Sequence, residues 1–167
     1  MHWSIQTAYD CQEEVVALFR EYTDMLVATD PAAADQLRHQ DYHTELEHLL
    51  EKYGPPGGRL YLARVDGQSA GCAALHRLDE ARCELKRLYV RPQFRGHGLA
   101  EQLVRQILQD AAHIGYGCIL LDTFPFLTSA LHLYRKLGFY DVPSYNGPPM
   151  DGLLYLRRDL DTPSQAR

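Results

Sequence analysis

Residues 89–100 read Tyr89-Val90-Arg91-Pro92-Gln93-Phe94-Arg95-Gly96-His97-Gly98-Leu99-Ala100, and they join a strand pattern to a helical pattern. A strand pattern ends near Val90, Pro92 stops strand pairing, and an amphipathic helical pattern starts after Gly98. Glycines let backbone N–H groups approach an anion closely, and the first turn of a helix adds partial positive charge. The stretch therefore predicts a cradle for a pyrophosphate, with Arg95 as its cationic side-chain partner.

Two other kinds of phosphate-binding loop do not match this stretch. The chain has no Gly-x-x-x-x-Gly-Lys-Ser/Thr segment, and Glu101 occupies the third glycine position of a Gly-x-Gly-x-x-Gly pattern. A glycine-rich turn that only starts a helix is the alternative interpretation of the glycine pair.

The segments before the cradle predict a strand, two helices and three further strands. Residues 2–8 form a short strand pattern, and Asp10 is placed to cap a helix that Asp30-Pro31 ends. A second helical pattern covers residues 37–50 and stops in a loop rich in glycine and proline. The next three strands are expected at residues 60–65, 69–78 and 83–90, with a hairpin turn at Asp66-Gly67.

The segments after the cradle complete a mixed fold. Residues 99–111 carry one apolar helical stripe, and glycines at 115 and 117 end it. Residues 118–121 form a continuous apolar run, which is typical of a strand buried on both faces. A helix over 128–137 and strands over 139–142 and 153–157 follow. The order predicts an α/β (α+β) fold in one domain over 1–167, with a mixed, mostly antiparallel sheet of about seven strands and about four flanking helices.

Composition narrows the functional classes. The chain has 167 residues, a formal net charge of -5 and no basic run, so we expect no nucleic-acid partner. No apolar run is long enough to cross a bilayer and the N-terminus shows no secretory pattern, so a cytoplasmic location is expected. The four cysteines form no Cys-x-x-Cys pair, and His39 and His43 belong to no metal-binding motif, so no metal is expected.

A family resemblance extends from about residue 60 to residue 160. Residues 95–100 look like the Arg/Gln-x-x-Gly-x-Gly/Ala signature of the GNAT superfamily of N-acetyltransferases, and residues 84–90 resemble the strand before it. Residues 130–139 resemble a second block, Ala-x-x-Leu-Tyr-x-x-x-Gly-Phe. One position departs from the pattern, because Leu127 stands where many members have an asparagine that contacts the cofactor arm.

The resemblance implies a function and a set of cofactor-binding residues. It implies an enzyme that transfers the acetyl group of acetyl-CoA to a primary amine of a small molecule or peptide; the alternative is a non-catalytic acyl-CoA-binding module on the same fold. In such proteins the strand before the signature splays from the next strand, and the pantetheine arm pairs with the free edge. By analogy, N–H groups at Leu88 or Val90 would hold the arm or polarise the thioester carbonyl. The implied cofactor-binding residues are Leu88, Tyr89, Val90, Arg95, Gly96, His97, Gly98, Leu99 and Ala100.

Glu84 is the predicted catalytic base. An amine with a pKa near ~10.4 is mostly protonated at neutral pH, and a carboxylate can accept its proton directly or through water. Glu84 lies on the strand that leads into the cradle and matches a frequent glutamate of the family. The alternative is a solvated strand carboxylate that pairs with Lys86 or Arg82.

Tyr134 is the predicted catalytic acid. A phenol with a pKa near ~10 stays protonated at neutral pH and can donate to a departing thiolate. In the GNAT enzymes that this segment resembles, the matching tyrosine lies beside the sulfur of CoA. The alternative is a core aromatic residue, since an apolar helical face surrounds Tyr134 in the sequence. The two interpretations are compatible.

The acceptor is less defined than the donor. The acidic balance of the chain mildly favours a cationic amine, and four tyrosines fall in segments that flank the acceptor cleft in the family. Pro148, Pro149 and Met150 could belong to a homodimer interface. The four tyrosines are Tyr42, Tyr53, Tyr140 and Tyr145.

Overall fold

A computed structural model describes residues 1–150 and 152–161. They form one seven-stranded sheet in the order β1-β2-β3-β4-β5-β7-β6, with six α-helices packed around it, and this confirms the predicted fold class. The strands are β1 Trp3–Thr7, β2 Arg59–Val65, β3 Gln68–Arg77, β4 Arg82–Val90, β5 Cys118–Thr123, β6 Tyr140–Asp141 and β7 Leu154–Asp159. The helices are α1 Gln12–Thr29, α2 Ala32–His39, α3 Tyr42–Glu47, α4 Leu49–Tyr53, α5 Leu99–Ile114 and α6 Thr128–Lys136.

The helical region before β2 differs from the prediction. The pattern over 37–50 is divided among α2, α3 and α4. His48, with φ -134° and ψ 51°, separates α3 from α4, and Asp41, in a left-handed conformation with φ 52°, separates α2 from α3. A short polar side chain tolerates that conformation better than most residues do. The predicted cap of α1 is also wrong, since Cys11 rather than Asp10 occupies the N-cap and makes no side-chain capping bond.

Strand β4 is the centre of the site, and its pairing changes along its length. It runs antiparallel to β3 and parallel to β5, but the β5 pairing covers only residues 82–84. Among the residues that the structure describes, none pairs as a strand with the β5-facing edge of β4 beyond Glu84. The splay that the family resemblance implied is therefore present.

A β-bulge accompanies the splay. Lys86 pairs with Ala74 and Tyr89 pairs with Cys72, so two β4 residues between them face one residue of β3. The first of the two, Arg87, has φ 59°, which is rare for a residue with a side chain. An extra residue of this kind bends a strand and increases its twist, which turns the free edge of β4 away from β5.

The two faces of the sheet carry separate cores. The apolar stripe of α5 packs against one face, and all six of its predicted members are buried. α1 and α4 cover the other face around fully buried Phe19 and Tyr53. α5 begins directly after Gly98 and ends at Gly115, both with positive φ, as the glycine pattern predicted. The buried stripe consists of Leu99, Leu103, Val104, Ile107, Leu108 and Ala111.

A buried ion pair fixes the bulge to the helical layer. Nε and Nη2 of Arg87 donate to the two carboxylate oxygens of Glu45 on α3 at 2.9 and 3.0 Å. Lys52 also donates to Glu45 at 2.7 Å, and the ring of Tyr42 lies 5.0 Å from the guanidinium. Because an unpaired charge is costly to bury, these partners hold the side chain of Arg87, and with it the bulge, in one position.

The ion pair predicts a loss of stability in acid. Burial raises the pKa of Glu45, but Arg87 and Lys52 outweigh it and bring the pKa down to about 2 from an ordinary value near 4.5. A depressed carboxyl pKa stabilises the fold above the unfolded value, and that stabilisation disappears as the pH falls from about 4.5 toward 2. We expect Glu45 to account for about 3 kcal/mol of the free energy of unfolding lost over this window.

Urea unfolding of wild type and Glu45→Gln at several pH values measures this contribution. The variant should already be less stable at pH 7 by roughly 3–5 kcal/mol, because Arg87 loses its partner. It should also lose less stability on acidification than wild type does. Parallel pH curves for the two proteins would contradict the assignment.

Candidate active site

A cavity of about 510 Å³ lies where β4 and β5 separate. One wall is the end of β4, a second is the glycine loop with the start of α5, and a third is the segment 126–134 around the start of α6. α1 contributes Tyr22, Met25 and Thr29. The walls are mostly apolar, with backbone and hydroxyl groups between the apolar side chains, which suits an amphipathic chain-like ligand.

The glycines of the cradle leave open space. Gly96 and Gly98 have φ +84° and +79°, and a Cβ atom added to either would meet no other atom within 4 Å. Close packing against the protein therefore does not explain these glycines. Backbone conformation does, and the open space in front of them fits an anion at the start of α5.

Arg95 is fixed at the rim of the cavity. Its Nε donates to the carbonyl oxygen of Val90 at 2.9 Å, and its guanidinium lies 5.9 Å from the centre of the Tyr89 ring. These contacts leave its terminal nitrogens available for a phosphate oxygen.

The cavity wall includes all but one of the predicted cofactor-binding residues. The exception is His97, which is exposed and does not line the cavity although it lies between two glycines that do. Leu127 also lines the cavity, so the departure from the family pattern puts an apolar side chain on the wall. Thr128 and Ser129 place hydroxyl groups beside it. The predicted residues on the wall are Leu88, Tyr89, Val90, Arg95, Gly96, Gly98, Leu99 and Ala100.

The position of Tyr134 is compatible with both interpretations, a core aromatic residue and a proton donor. Its side chain is buried, and its ring packs against Phe139 with 5.6 Å between ring centres. Yet it lines the cavity, and within residues 1–150 and 152–161 its hydroxyl has no hydrogen-bond partner. Burial, with smaller effects of Tyr22 and Asp122, raises its pKa well above the ordinary value, so the phenol stays protonated. The hydroxyl is thus free to donate to a ligand in the cavity.

Glu84 is not the solvated carboxylate of the alternative interpretation. It is 4% exposed, and its oxygens contact two different side chains. Nδ1 of His76 lies 3.1 Å from Oε1, and the hydroxyl of Tyr145 donates to Oε2 at 2.5 Å. Lys86 lies 3.8 Å away, while Arg82 pairs with Asp79 instead. Burial raises the pKa of Glu84, but Lys86, His76 and Tyr145 together lower it to about 2.

Glu84 does not line the large cavity. It is the last β4 residue paired with β5, so it lies where the splay begins. Its backbone pairs with Leu120 on one side and with His76 on β3 on the other. The structure therefore brings Glu84 to the closed end of the splay and Tyr134 to the cavity wall.

The sequence singled out Tyr145 but not His76. Of the four tyrosines assigned to the acceptor side, Tyr145 is the one that contacts Glu84. Tyr53 is fully buried, Tyr140 is exposed and donates to Asp159, and Tyr42 accepts a hydrogen bond from Thr23. The sequence did contain a signal for His76. In the hairpin of β3 and β4, a register that pairs His76 with Glu84 places the two side chains on the same face of the sheet.

Tyr145 and Asn146, which follow β6, lie against the same region. Tyr145 donates to Glu84, and Asn146 donates to Asp122 of β5 at 3.0 Å. Gln36 of α2 approaches the same carboxylate oxygen at 3.5 Å. Helix α2, strand β5 and the residues that follow β6 therefore meet near the closed end of the splay, on the face of the sheet that α1–α4 cover.

Two further expectations concern metals and membranes. Among residues 1–150 and 152–161, no three His, Cys, Asp or Glu side chains are grouped as a metal site would require. Across the same part of the chain, no helix combines the length and the apolar character that a membrane span needs.

Comparison with known proteins agrees with this geometry. The chain matches the acetyltransferase (GNAT) family over residues 15–139. It is 38% identical over 126 residues to an uncharacterized N-acetyltransferase of Schizosaccharomyces pombe, covering 74% of this chain and 77% of that one. It is 31% identical over 123 residues to the N-acetylaspartate synthetase of Danio rerio, covering 68% of this chain and 44% of that protein.

Two solved structures are similar as well. A GNAT acetyltransferase of Staphylococcus aureus shares the fold with a TM-score of 0.73 at 20% identity, over 96% of this chain and 100% of that one. A GNAT acetyltransferase of Elizabethkingia anophelis, solved with acetyl-CoA bound, has a TM-score of 0.53 at 26% identity, over 62% of this chain and 77% of that one.

Fold, site and comparisons together define an acyltransferase enzyme that uses acetyl-CoA as its co-substrate. The chain belongs to the GNAT acetyltransferase family.

Proposed function

We propose that this enzyme transfers the acetyl group of acetyl-CoA to a primary amine of a small molecule or peptide. One observation carries the proposal: one cavity joins the glycine cradle, the free edge of β4 and the hydroxyl of Tyr134. A pyrophosphate, an amide-containing arm and a thioester occur in that order along acetyl-CoA, and each has a suitable counterpart along the cavity.

On the donor side, backbone N–H groups near Gly96 and Gly98 hold the pyrophosphate, with Arg95 at the rim. The pantetheine arm follows the free edge of β4, where N–H groups at Leu88 or Val90 bind its amides or polarise the thioester carbonyl. The apolar wall at Leu127 contributes packing where an amide side chain is usual in the family. Tyr134 donates a proton to the departing sulfur.

On the acceptor side, Glu84 assists removal of the amine proton without touching the amine. Both of its oxygens are already bonded, and the side chain is buried. Its pKa near 2 also makes it a weak proton acceptor but a strong, permanent negative charge at neutral pH. Glu84 therefore acts through an intermediary group.

The acceptor amine could be cationic or anionic. The net charge of the chain mildly favours a cationic amine. The N-acetylaspartate synthetase among its relatives is named for an anionic product. Preferential turnover of anionic amines would remove the cationic hypothesis without affecting the proposed reaction.

A panel of amines tests the reaction. Purified protein is mixed with acetyl-CoA and, in turn, amino acids, a polyamine, an aminoglycoside and a peptide with a free N-terminus. We expect thiol release that depends on one class of amine, with the acetylated amine detected by mass spectrometry. Tight CoA binding with no turnover on any amine would instead favour a non-catalytic acyl-CoA-binding module.

Three further features are part of the proposal. The chain is proposed to act as one catalytic domain over residues 1–167 and to reside in the cytoplasm. The segment 148–150, just before β7, is proposed as part of a homodimer interface. Sedimentation of wild type and of a Pro149→Asp variant would test the last point, since a variant that sediments like wild type contradicts the interface.

A further inference from the structure

The buried position of Glu84 leaves the amine proton without a direct acceptor. Its Oε1 faces His76 and its Oε2 accepts from Tyr145. The hydroxyl of Tyr145 is a poor relay, because burial and the charge of Glu84 raise its pKa far above the ordinary value of a tyrosine. A group beside Glu84 that can hold a proton while Glu84 stays ionised is therefore needed.

His76 has the required position and hydrogen bonding. An ionised carboxylate only accepts hydrogen bonds, so Nδ1 of His76 carries the hydrogen that points at Glu84. Nε2 is then the unprotonated nitrogen of the neutral ring. Within residues 1–150 and 152–161, no hydrogen bond engages Nε2. The ring is held edge-on against Tyr53, with 6.3 Å between ring centres.

His76 also faces open space. Its side chain is 28% exposed and lines a second cavity of about 280 Å³, on the side of the sheet that α3 and α4 cover. The residues that line this cavity are all polar or charged, and most of the charged ones are paired. Glu45 and Lys52 belong to the buried ion pair with Arg87, and His48 lies 3.8 Å from Glu51.

The charges that act on His76 come from every element around it. Glu84 and Lys86 on β4 place one negative and one positive charge on the sheet side of the ring. On the helical side lie the positive charge of Lys52 and three carboxylates. Tyr145 reaches the ring only through Glu84, and Tyr53 is neutral. The three carboxylates are Asp41, Glu45 and Glu51.

We propose that His76 is the general base of the reaction and that Glu84 is its positioning residue, with the second cavity admitting the acceptor amine. This inference rests on the proposed function.

In the step, the amine nitrogen uses its electron pair to form a bond to the acetyl carbonyl carbon. One proton of that nitrogen passes to Nε2 of His76. The carbon–sulfur bond breaks, its electron pair goes to sulfur, and the hydroxyl of Tyr134 gives sulfur a proton. His76 then loses its proton to solvent and Tyr134 regains one, so atoms and charges balance.

Two substitutions separate this assignment from a mechanism with Glu84 as the base. His76→Asn keeps a donor toward Glu84 but removes the basic nitrogen, so kcat/KM near pH 7 should fall about 10²–10⁴-fold. Much of that rate should return at high pH, where the free amine is abundant. Glu84→Gln removes the negative charge that favours imidazolium, so the acidic limb of kcat/KM should move to lower pH and persist. If Glu84 were the base, its substitution would abolish that limb and His76→Asn would keep it.

His113→Asn is the control, because His113 is an exposed histidine in the last turn of α5 that lines neither cavity, and its variant should keep the wild-type pH profile. CoA affinity, measured by calorimetry, confirms that each variant folds. If His76→Asn does not fold, the direction of the Glu84→Gln shift decides alone. A wild-type profile for His76→Asn, in an active enzyme, would overturn the inference and leave the proposed function standing. Absence of turnover by wild type with every amine would remove both.

Discussion

Replacing Gly98 by glutamate is expected to weaken CoA binding by at least roughly 100-fold, or about 2.7 kcal/mol. Gly98 has φ +79°, a conformation that costs a residue with a side chain about 1–2 kcal/mol. The space before it is open, so the new carboxylate would enter the position proposed for the pyrophosphate and repel it. Calorimetric titration of CoA measures the change.

Gly67→Glu separates repulsion in the cradle from backbone strain. Gly67 has nearly the same conformation, φ +83°, with no neighbour within 4 Å of an added Cβ, but it lies in the β2–β3 turn outside the cavity. Its variant should lose a similar amount of stability and bind CoA like wild type. If the two variants bound CoA equally well, the pyrophosphate would not lie at Gly98.

Replacing Tyr134 by phenylalanine is expected to lower kcat with acetyl-CoA about 10²–10⁴-fold. The ring contact with Phe139 is kept, and the lost hydroxyl has no partner among the described residues, so stability and CoA affinity should change little. The loss should shrink with a thioester whose thiol has a lower pKa, because that leaving group needs less help from an acid. Steady-state rates on both thioesters provide the comparison.

Tyr116→Phe is the matched control for Tyr134. Tyr116 is also buried, and its hydroxyl donates to the carbonyl oxygen of Gly57 at 2.7 Å, outside the cavity. This variant should lose about 1 kcal/mol of stability and keep its turnover number. Wild-type rates for Tyr134→Phe on both thioesters would leave Tyr134 with a packing role alone.

Local patterns were sufficient to predict most of the fold. Alternation and turn residues placed β2, β3 and β4 to within one or two residues, since a hairpin register depends on neighbours in sequence. The glycines at both ends of α5 fixed its bounds for the same reason. The split of one predicted helix into α2, α3 and α4 was missed, because its apolar spacing continues across Asp41.

The site was predicted less completely because its contacts are distant in sequence. The cradle and Tyr134 belong to contiguous motifs, and the structure places both on one cavity. The partners of Glu84 lie 8 and 61 residues away, on β3 and in the loop before β7. The bulge at Arg87 depends on Glu45, 42 residues upstream, and no local pattern reports such a pair.

The Arg87–Glu45 pair would constrain any redesign of the acceptor side. Grafting a foreign segment in place of α2–α4 would remove Glu45, leave a buried guanidinium unpaired and release the bulge of β4. The graft would then damage acetyl-CoA binding, although no residue of α2, α3 or α4 lines the donor cavity. A graft that keeps a carboxylate at position 45 should preserve the donor site, so new acceptor specificities are best sought around that one fixed residue.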